Sequence, residues 1–96
     1  MTRIVVQRLA ARELEDALLY YETLSPGLGT AFLDEWARCL RRLLVHPQSG
    51  VVVDDDVRRL MLRRFPYALL YRHSRDDIRV LAVMNLRRRP MYWVGR

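Results

Sequence analysis

The apolar residues of this chain change their spacing once, and that change decides what the chain can fold into. From Leu9 onward, Ala10, Leu14, Ala17, Tyr21 and Leu24 recur at intervals of four, three, four and three, with Arg12, Glu13, Glu15, Asp16 and Glu22 on other faces. That spacing predicts an amphipathic helix. Ser25-Pro26-Gly27-Leu28-Gly29 ends it, because proline has no amide to donate and glycine favours turns. Ser25 is also placed to cap a second helix with Pro26 at its first position. The second helix carries Leu28, Phe32, Trp36, Cys39 and Leu43 along one stripe, widened by Leu33, Leu40 and Leu44, and stops at Pro47. So wide a stripe predicts packing on both the first helix and a sheet.

From Val57 the period becomes two. Arg58, Leu60, Leu62 and Arg64 alternate with Arg59, Met61, Arg63 and Phe65, which predicts a strand with an apolar centre, broken by Pro66. Tyr67-Ala68-Leu69-Leu70-Tyr71-Arg72 is the next strand and Ser74-Arg75-Asp76-Asp77 a turn. Ile78 to Asn85 follows, with Val80, Ala82 and Met84 opposing Leu81 and Val83; both faces are apolar, as in a central, covered strand. Ile4-Val5-Val6 reads as a first strand, Val51-Val52-Val53 as at most a brief one in a loop, and Leu86 to Arg96 as a tail. The order β-α-α-β-β-β specifies an α/β (α+β) two-layer domain over 1–96, a helical hairpin packed on a mostly antiparallel sheet. The sheet face away from the hairpin is then expected to carry the polar and cationic side chains.

Composition narrows the partners. One cysteine, Cys39, in 96 residues allows neither an internal disulfide nor a cysteine zinc site, so a reduced, cytoplasmic protein is expected. The opening residues lack the apolar run of a signal peptide, and no stretch has the roughly 18 apolar residues of a membrane span. All 17 basic side chains are arginine; six lie before Asp54, balanced by six acids, and eleven lie from Asp54 onward against five aspartates. The net charge of +6 therefore belongs to the C-terminal half, and its planar guanidinium forks suit phosphates and carboxylates. Asp54-Asp55-Asp56 reads as a solvated turn, and no metal or cofactor is expected: the chain has no Gly-rich phosphate loop, HExxH or CxxC pattern. His46 suits the end of a helix and His73 the end of a strand better than either suits catalysis. Arg58-Arg59, Arg63-Arg64, Arg72, Arg79 and Arg87-Arg88-Arg89 come from neighbouring strands and the tail, so some must form a patch that draws an anionic partner or else pairs locally with the aspartates. Tyr92-Trp93 could offer a stacking surface or close the edge of the core.

Four segments carry a resemblance over nearly the whole chain: Glu13-Leu14-Glu15-Asp16-Ala17-Leu18-Leu19-Tyr20-Tyr21-Glu22; Ser25-Pro26-Gly27-Leu28-Gly29 leading to Phe32; Arg58 with Arg64-Phe65-Pro66-Tyr67 and Leu70-Tyr71; and Arg89-Pro90-Met91-Tyr92-Trp93. In this order they resemble the ParE/RelE superfamily of toxins from bacterial type II toxin–antitoxin modules. The resemblance implies a RelE/ParE-like fold and one of two activities. RelE-like members cut messenger RNA on the ribosome, with arginines on the scissile phosphate and a base at the ribose 2′-hydroxyl. ParE-like members instead poison DNA gyrase. In the ribonuclease branch an arginine usually follows the position of Tyr67, where this chain has Ala68, so the gyrase branch and a non-enzymatic toxin are favoured. The ParE-like pattern often has a histidine near the position of Asn85, which this chain lacks.

The resemblance further implies a growth-inhibiting cytoplasmic toxin of a plasmid-stabilisation kind, neutralised in a toxin–antitoxin hetero-oligomer by a cognate antitoxin. The antitoxin's acidic, flexible segment would lay a helix over the hairpin and add a strand at the sheet edge. Antitoxin-facing candidates are Leu18, Leu19, Leu33 and Ala37; target-facing candidates are Arg58, Arg59, Arg63, Arg88, Arg89, Tyr92 and Trp93. If the chain is instead a nuclease acting with ribosome and messenger RNA, Arg63 and Arg87 would hold the phosphate and Tyr92 would serve as acid or base. An inactive relative that only binds antitoxin is the third reading.

Overall fold

The computed structural model describes residues 2–87 and 91–96. The elements are β1 (Arg3–Val6), α1 (Arg8–Leu24), α2 (Leu28–Val45), β2 (Val51–Asp54), β3 (Val57–Met61), β4 (Tyr67–His73) and β5 (Asp77–Asn85). They build one five-stranded sheet of order β1-β5-β4-β3-β2, parallel only at the β1–β5 pair, with the helical hairpin on one face. The expected two-layer class holds, with one strand more: β2 pairs antiparallel with β3, Val51 opposite Arg59 and Val52 opposite Arg58. Three valines on an edge, two of them largely exposed, gave no alternating pattern that would have separated a strand from a loop.

Each helix buries the stripe its spacing marks. Ala10 and Ala17 of α1 and Phe32, Trp36, Cys39 and Leu43 of α2 are buried. Leu24, placed on the same stripe by spacing, is exposed: as the last residue of α1 it borders an open cleft and is not covered by the core. The hairpin turn is capped differently from the expectation. Gly27, at φ 90°, is the N-cap of α2, a left-handed conformation suited to glycine. The Glu22 carboxylate reaches from α1 to accept from the amides of Gly27 (3.1 Å) and Gly29 (2.9 Å). Ser25 instead closes α1, its amide bonded to Tyr21 O. Glu22 thereby puts a negative charge on the positive end of the α2 dipole.

An aromatic cluster ties hairpin to sheet. Tyr21 and Phe32 from the helices meet Phe65 and Tyr67 from the β3–β4 turn and β4, with ring centroids 4.9–6.0 Å apart. Such pairs contribute about 0.5–1.5 kcal/mol each beyond their burial. Phe65 joins this cluster from the turn, since β3 ends at Met61 and Arg64 takes φ 71°.

The face away from the hairpin departs from expectation. Val57, Leu70, Leu81 and Ala82 form a second buried cluster there, roofed by Trp93 and flanked by Tyr92. Leu81 and Ala82 can both face this side because the β4–β5 register slips between Leu70 and Tyr71, leaving one extra residue in β5. Strict alternation through Val83 therefore fails: Val80 and Val83 share the hairpin-side core. The arginines are displaced to the rim of an apolar face.

Candidate functional site

The arginines differ in how far their charge is committed. Arg58, opposite Tyr71 in the β3–β4 register, donates to the carbonyls of Gly50 (2.9 Å) and Gln48 (3.3 Å). Next to it the Tyr71 hydroxyl donates to Pro47 O (2.7 Å) and accepts from Gly50 N (2.9 Å). Together they hold the loop between α2 and β2 to the sheet, so Arg58 is a structural cation here. Arg72 pairs with Asp56 at 2.8 Å, and Arg3 and Arg79 share Asp77 at 3.2 and 3.3 Å. The Arg3 guanidinium, and then Arg79, hold the Asp77 carboxyl below the usual carboxylate range. Arg38 pairs with Glu35, whose other oxygen accepts from the Arg63 amide at 2.9 Å.

Arg59, Arg63, Arg64 and Arg87 make no ion pair among the described residues. Arg59 and Met61 stand on the back face, opposite Leu70 and Ala68. Ala68 is fully buried, with Met61 on one neighbouring strand and Met84 on the other. The middle of the back face is thus apolar where the ribonuclease branch would place a cation. Arg63 is exposed at the β3–β4 turn beside α2, Arg87 lies at the mouth of a cleft with Tyr20 and Tyr21, and Tyr92 packs on the back-face cluster with its hydroxyl 3.4 Å from Val83 O. These are three separate settings. Trp93 is 4% exposed in the back-face core, so its ring is a packing element and offers no open stacking surface. Arg88 and Arg89 lie outside the described residues.

The outer face of the hairpin is the other open feature. Leu19, 57% exposed, and Leu33 stand free on it, whereas Leu18 and Ala37 are half-buried; a Cβ added at Gly29 would meet Leu18 Cδ1 at 2.9 Å, which places Leu18 between the helices. Tyr20, Leu24, Leu44 and Val45 are exposed apolar residues of the helices too; none was among the antitoxin-facing candidates, and Leu24 and Leu44 were expected on the buried stripes. Their signal was present but inverted: Leu24 and Leu44 match the helical spacing of the core stripes, and only the position of the sheet decides which turns it covers. Buried Cys39 offers no reactive thiol, since burial pushes its ionisation up against the opposing effect of Arg38. No group of His, Cys, Asp or Glu among the described residues could hold a metal ion. No helix among them is long and apolar enough to cross a membrane.

Two helices laid on one face of a five-stranded mixed sheet, with a tail roofing the other, define a ParE-type fold. Among solved structures the chain is similar to a chain of the chromosomal ParDE TA system from P. aeruginosa, with a TM-score of 0.77 and 21% identity, covering 90% of this chain and 97% of that one. No family model and no curated protein matches the sequence.

Proposed function

We propose that this chain is the toxin of a ParDE-like type II toxin–antitoxin module, that it is held inactive by a cognate antitoxin on the hairpin, and that its free form inhibits DNA gyrase. The observation that carries the reading is the fold likeness, which spans 90% of the chain and leaves almost nothing of the other protein unmatched. The hairpin supports the antitoxin half. Leu19, Tyr20, Leu24 and Leu33 are exposed apolar side chains on adjacent helices, and clustered exposed apolar residues mark partner sites. An amphipathic segment with an acidic outer face fits such a surface and the +6 charge around it.

The gyrase half is supported by what the back face lacks. Ala68, Met61 and Met84 stand where a phosphate-cleaving site would require convergent cations, and a general donor lost from such a site costs about 3 kcal/mol of transition-state stabilisation. A contact surface made of Arg59 and Met61 on the back face, with Arg63 exposed at the adjoining turn beside α2, suits a protein target better than it suits a reaction. Induced expression in a bacterium is the test. Arrested growth that co-expression of the neighbouring antitoxin gene restores is expected; unimpeded growth with soluble, folded protein accumulating would overturn the reading.

A further inference from the structure

A cleft of about 450 Å³ opens where the hairpin turn meets the β3–β4 turn and the end of β5, lined by Tyr20, Tyr21, Arg64, Phe65, Asn85 and Arg87 among others. Its size falls within the range of small-molecule sites. The lining contains no carboxylate, yet two arginines from separate segments converge on it, neither in an ion pair among the described residues. Elsewhere Arg3, Arg38, Arg72, Arg79 and Arg96 each have an acidic partner. Two uncompensated cations in one concavity create a focused positive potential.

Both cations are placed by local backbone structure. Arg64 holds a left-handed φ of 71°, uncommon for a residue with a side chain, inside a turn closed by the Leu62 N to Tyr67 O bond (2.9 Å); its guanidinium lies 5.6 Å from the Phe65 ring centroid. The Arg87 amide donates to Asn85 Oδ1 at 2.9 Å, which leaves the Asn85 amino group as a donor beside it. Leu86 N to Pro66 O, at 2.8 Å, fastens the two cation-bearing segments together. The Tyr20 and Tyr21 rings meet edge to face at 5.1 Å, and neither hydroxyl is bonded to another described residue. Burial and the neighbouring Tyr67 and Tyr20 raise the Tyr21 hydroxyl's pKa, while Arg87 opposes that shift, so Tyr21 remains a donor at neutral pH.

We propose that this cleft binds a nucleoside 5′-phosphate, the phosphate between Arg64 and Arg87 and the base against Tyr20, Tyr21 and the apolar wall of Leu24 and Leu28. Two guanidinium forks, a carboxamide and phenolic hydroxyls supply more donors than the two oxygens of a carboxylate can use. A phosphate monoester offers three terminal oxygens and nearly two negative charges. The aromatic wall supplies flat surface for a ring without demanding a particular base. Tyr20 and Leu24 belong both to this cleft and to the exposed apolar set of the hairpin, whereas Arg64 and Arg87, which would hold the phosphate, lie outside that set, so the proposal does not depend on the toxin reading.

The test is calorimetric titration of the purified chain with GMP and AMP, with guanosine, inorganic phosphate and a 5′-phosphorylated oligonucleotide as further arms, and with NMR to follow the amides of Phe65, Leu86 and Arg87. Both mononucleotides should bind and shift those amides. Guanosine should bind about tenfold or more weakly, and Arg64→Gln and Arg87→Gln should each lose a similar factor. Arg75→Gln, an exposed change in the β4–β5 turn, should leave binding unchanged. Equal binding of mononucleotide and oligonucleotide assigns the site to a strand end; binding of the mononucleotide alone assigns it to a free nucleotide. No binding at millimolar GMP, guanosine binding as well as GMP, or Arg75→Gln weakening binding as much as Arg64→Gln would each overturn the proposal.

Discussion

The carboxylate of Glu13 and the guanidinium of Arg96, 83 residues apart, form a two-pronged ion pair at 2.8 and 3.2 Å. β1 pairs with β5 only as far as Val80, so beyond that point the outer edge of β5 has no strand beside it. Glu13 Oε1 accepts from Val83 N there at 3.0 Å, and Arg96 donates to Leu81 O at 3.2 Å. The first helix and the tail thus satisfy the exposed edge together, and Arg96 also lies 5.0 Å over the Tyr92 ring.

Glu13→Ala should therefore cost about 2–3 kcal/mol of folding stability. The two side chains are only 14% and 16% exposed, so the change leaves a half-buried cation and the Val83 amide without their acceptor. Urea unfolding at neutral pH measures it. A change under 0.5 kcal/mol would mean that the tail is not fastened through this pair.

Tyr71→Phe should cost about 2 kcal/mol, because Gly50 N and Pro47 O both lose their partner in a buried setting. Gly50→Ala should also destabilise, since the added Cβ would come within 2.8 Å of both Arg59 O and the Tyr71 ring. Guanidinium denaturation of the two single variants and the double checks this; coupling between them is expected because they share one contact.

Two titrations contribute to the ends of the pH–stability curve. Asp77 has its pKa lowered in the fold, first by the Arg3 hydrogen bond, so its contribution is present above the usual aspartate value near about 4 and fades as pH falls below it. Tyr71 has its pKa raised by burial, so its contribution is intact below the usual tyrosine value of about 10 and fades as pH climbs past it. Thermal melts of Asp77→Asn should show a flatter acid limb, and those of Tyr71→Phe a flatter alkaline one. An acid limb unaltered in Asp77→Asn contradicts the assignment.

Leu19→Asp should weaken antitoxin binding about tenfold or more while moving stability by less than about 0.5 kcal/mol, because the side chain is exposed and a charge on it opposes an acidic, apolar partner segment. Calorimetry against the cognate antitoxin, with a melt of the free variant, separates the two effects. Trp93→Ala should behave in the opposite way, losing about 3 kcal/mol of stability by opening the back-face core.

Much of this architecture is legible in the residues. The helical stripes of Ala10, Ala17, Phe32, Trp36 and Leu43, and the phase of Leu60 in β3 and of Leu62 just beyond it, follow from spacing because burial on one face selects them. What spacing cannot carry is contact between distant segments. Glu22 capping α2, Phe65 reaching the hairpin core from a turn, and Trp93 folding back over Leu70 and Ala82 all depend on where the chain returns. The slip between Leu70 and Tyr71 inverts the phase of β5 from Ala82 onward, so a strict two-residue period groups Leu81 with Val83 and Val80 with Ala82, whereas the structure puts the members of each pair on opposite faces. Because Trp93 and the apolar cluster under it occupy the middle of the back face, the arginine patch expected there became a rim. Arg72 and Arg79 take the local pairing with aspartates that the sequence left open as an alternative, and Arg3, from β1, joins Arg79 on Asp77.

The central proposal is that this chain is a gyrase-directed toxin, and plasmid supercoiling by purified gyrase tests it most directly. With the free, folded chain present at micromolar concentration, supercoiled product should disappear or cleaved plasmid should accumulate, and adding the antitoxin should restore supercoiling. Undiminished supercoiling at micromolar excess, together with codon-specific cuts in transcripts undergoing translation, would contradict the account and make the chain a ribonuclease.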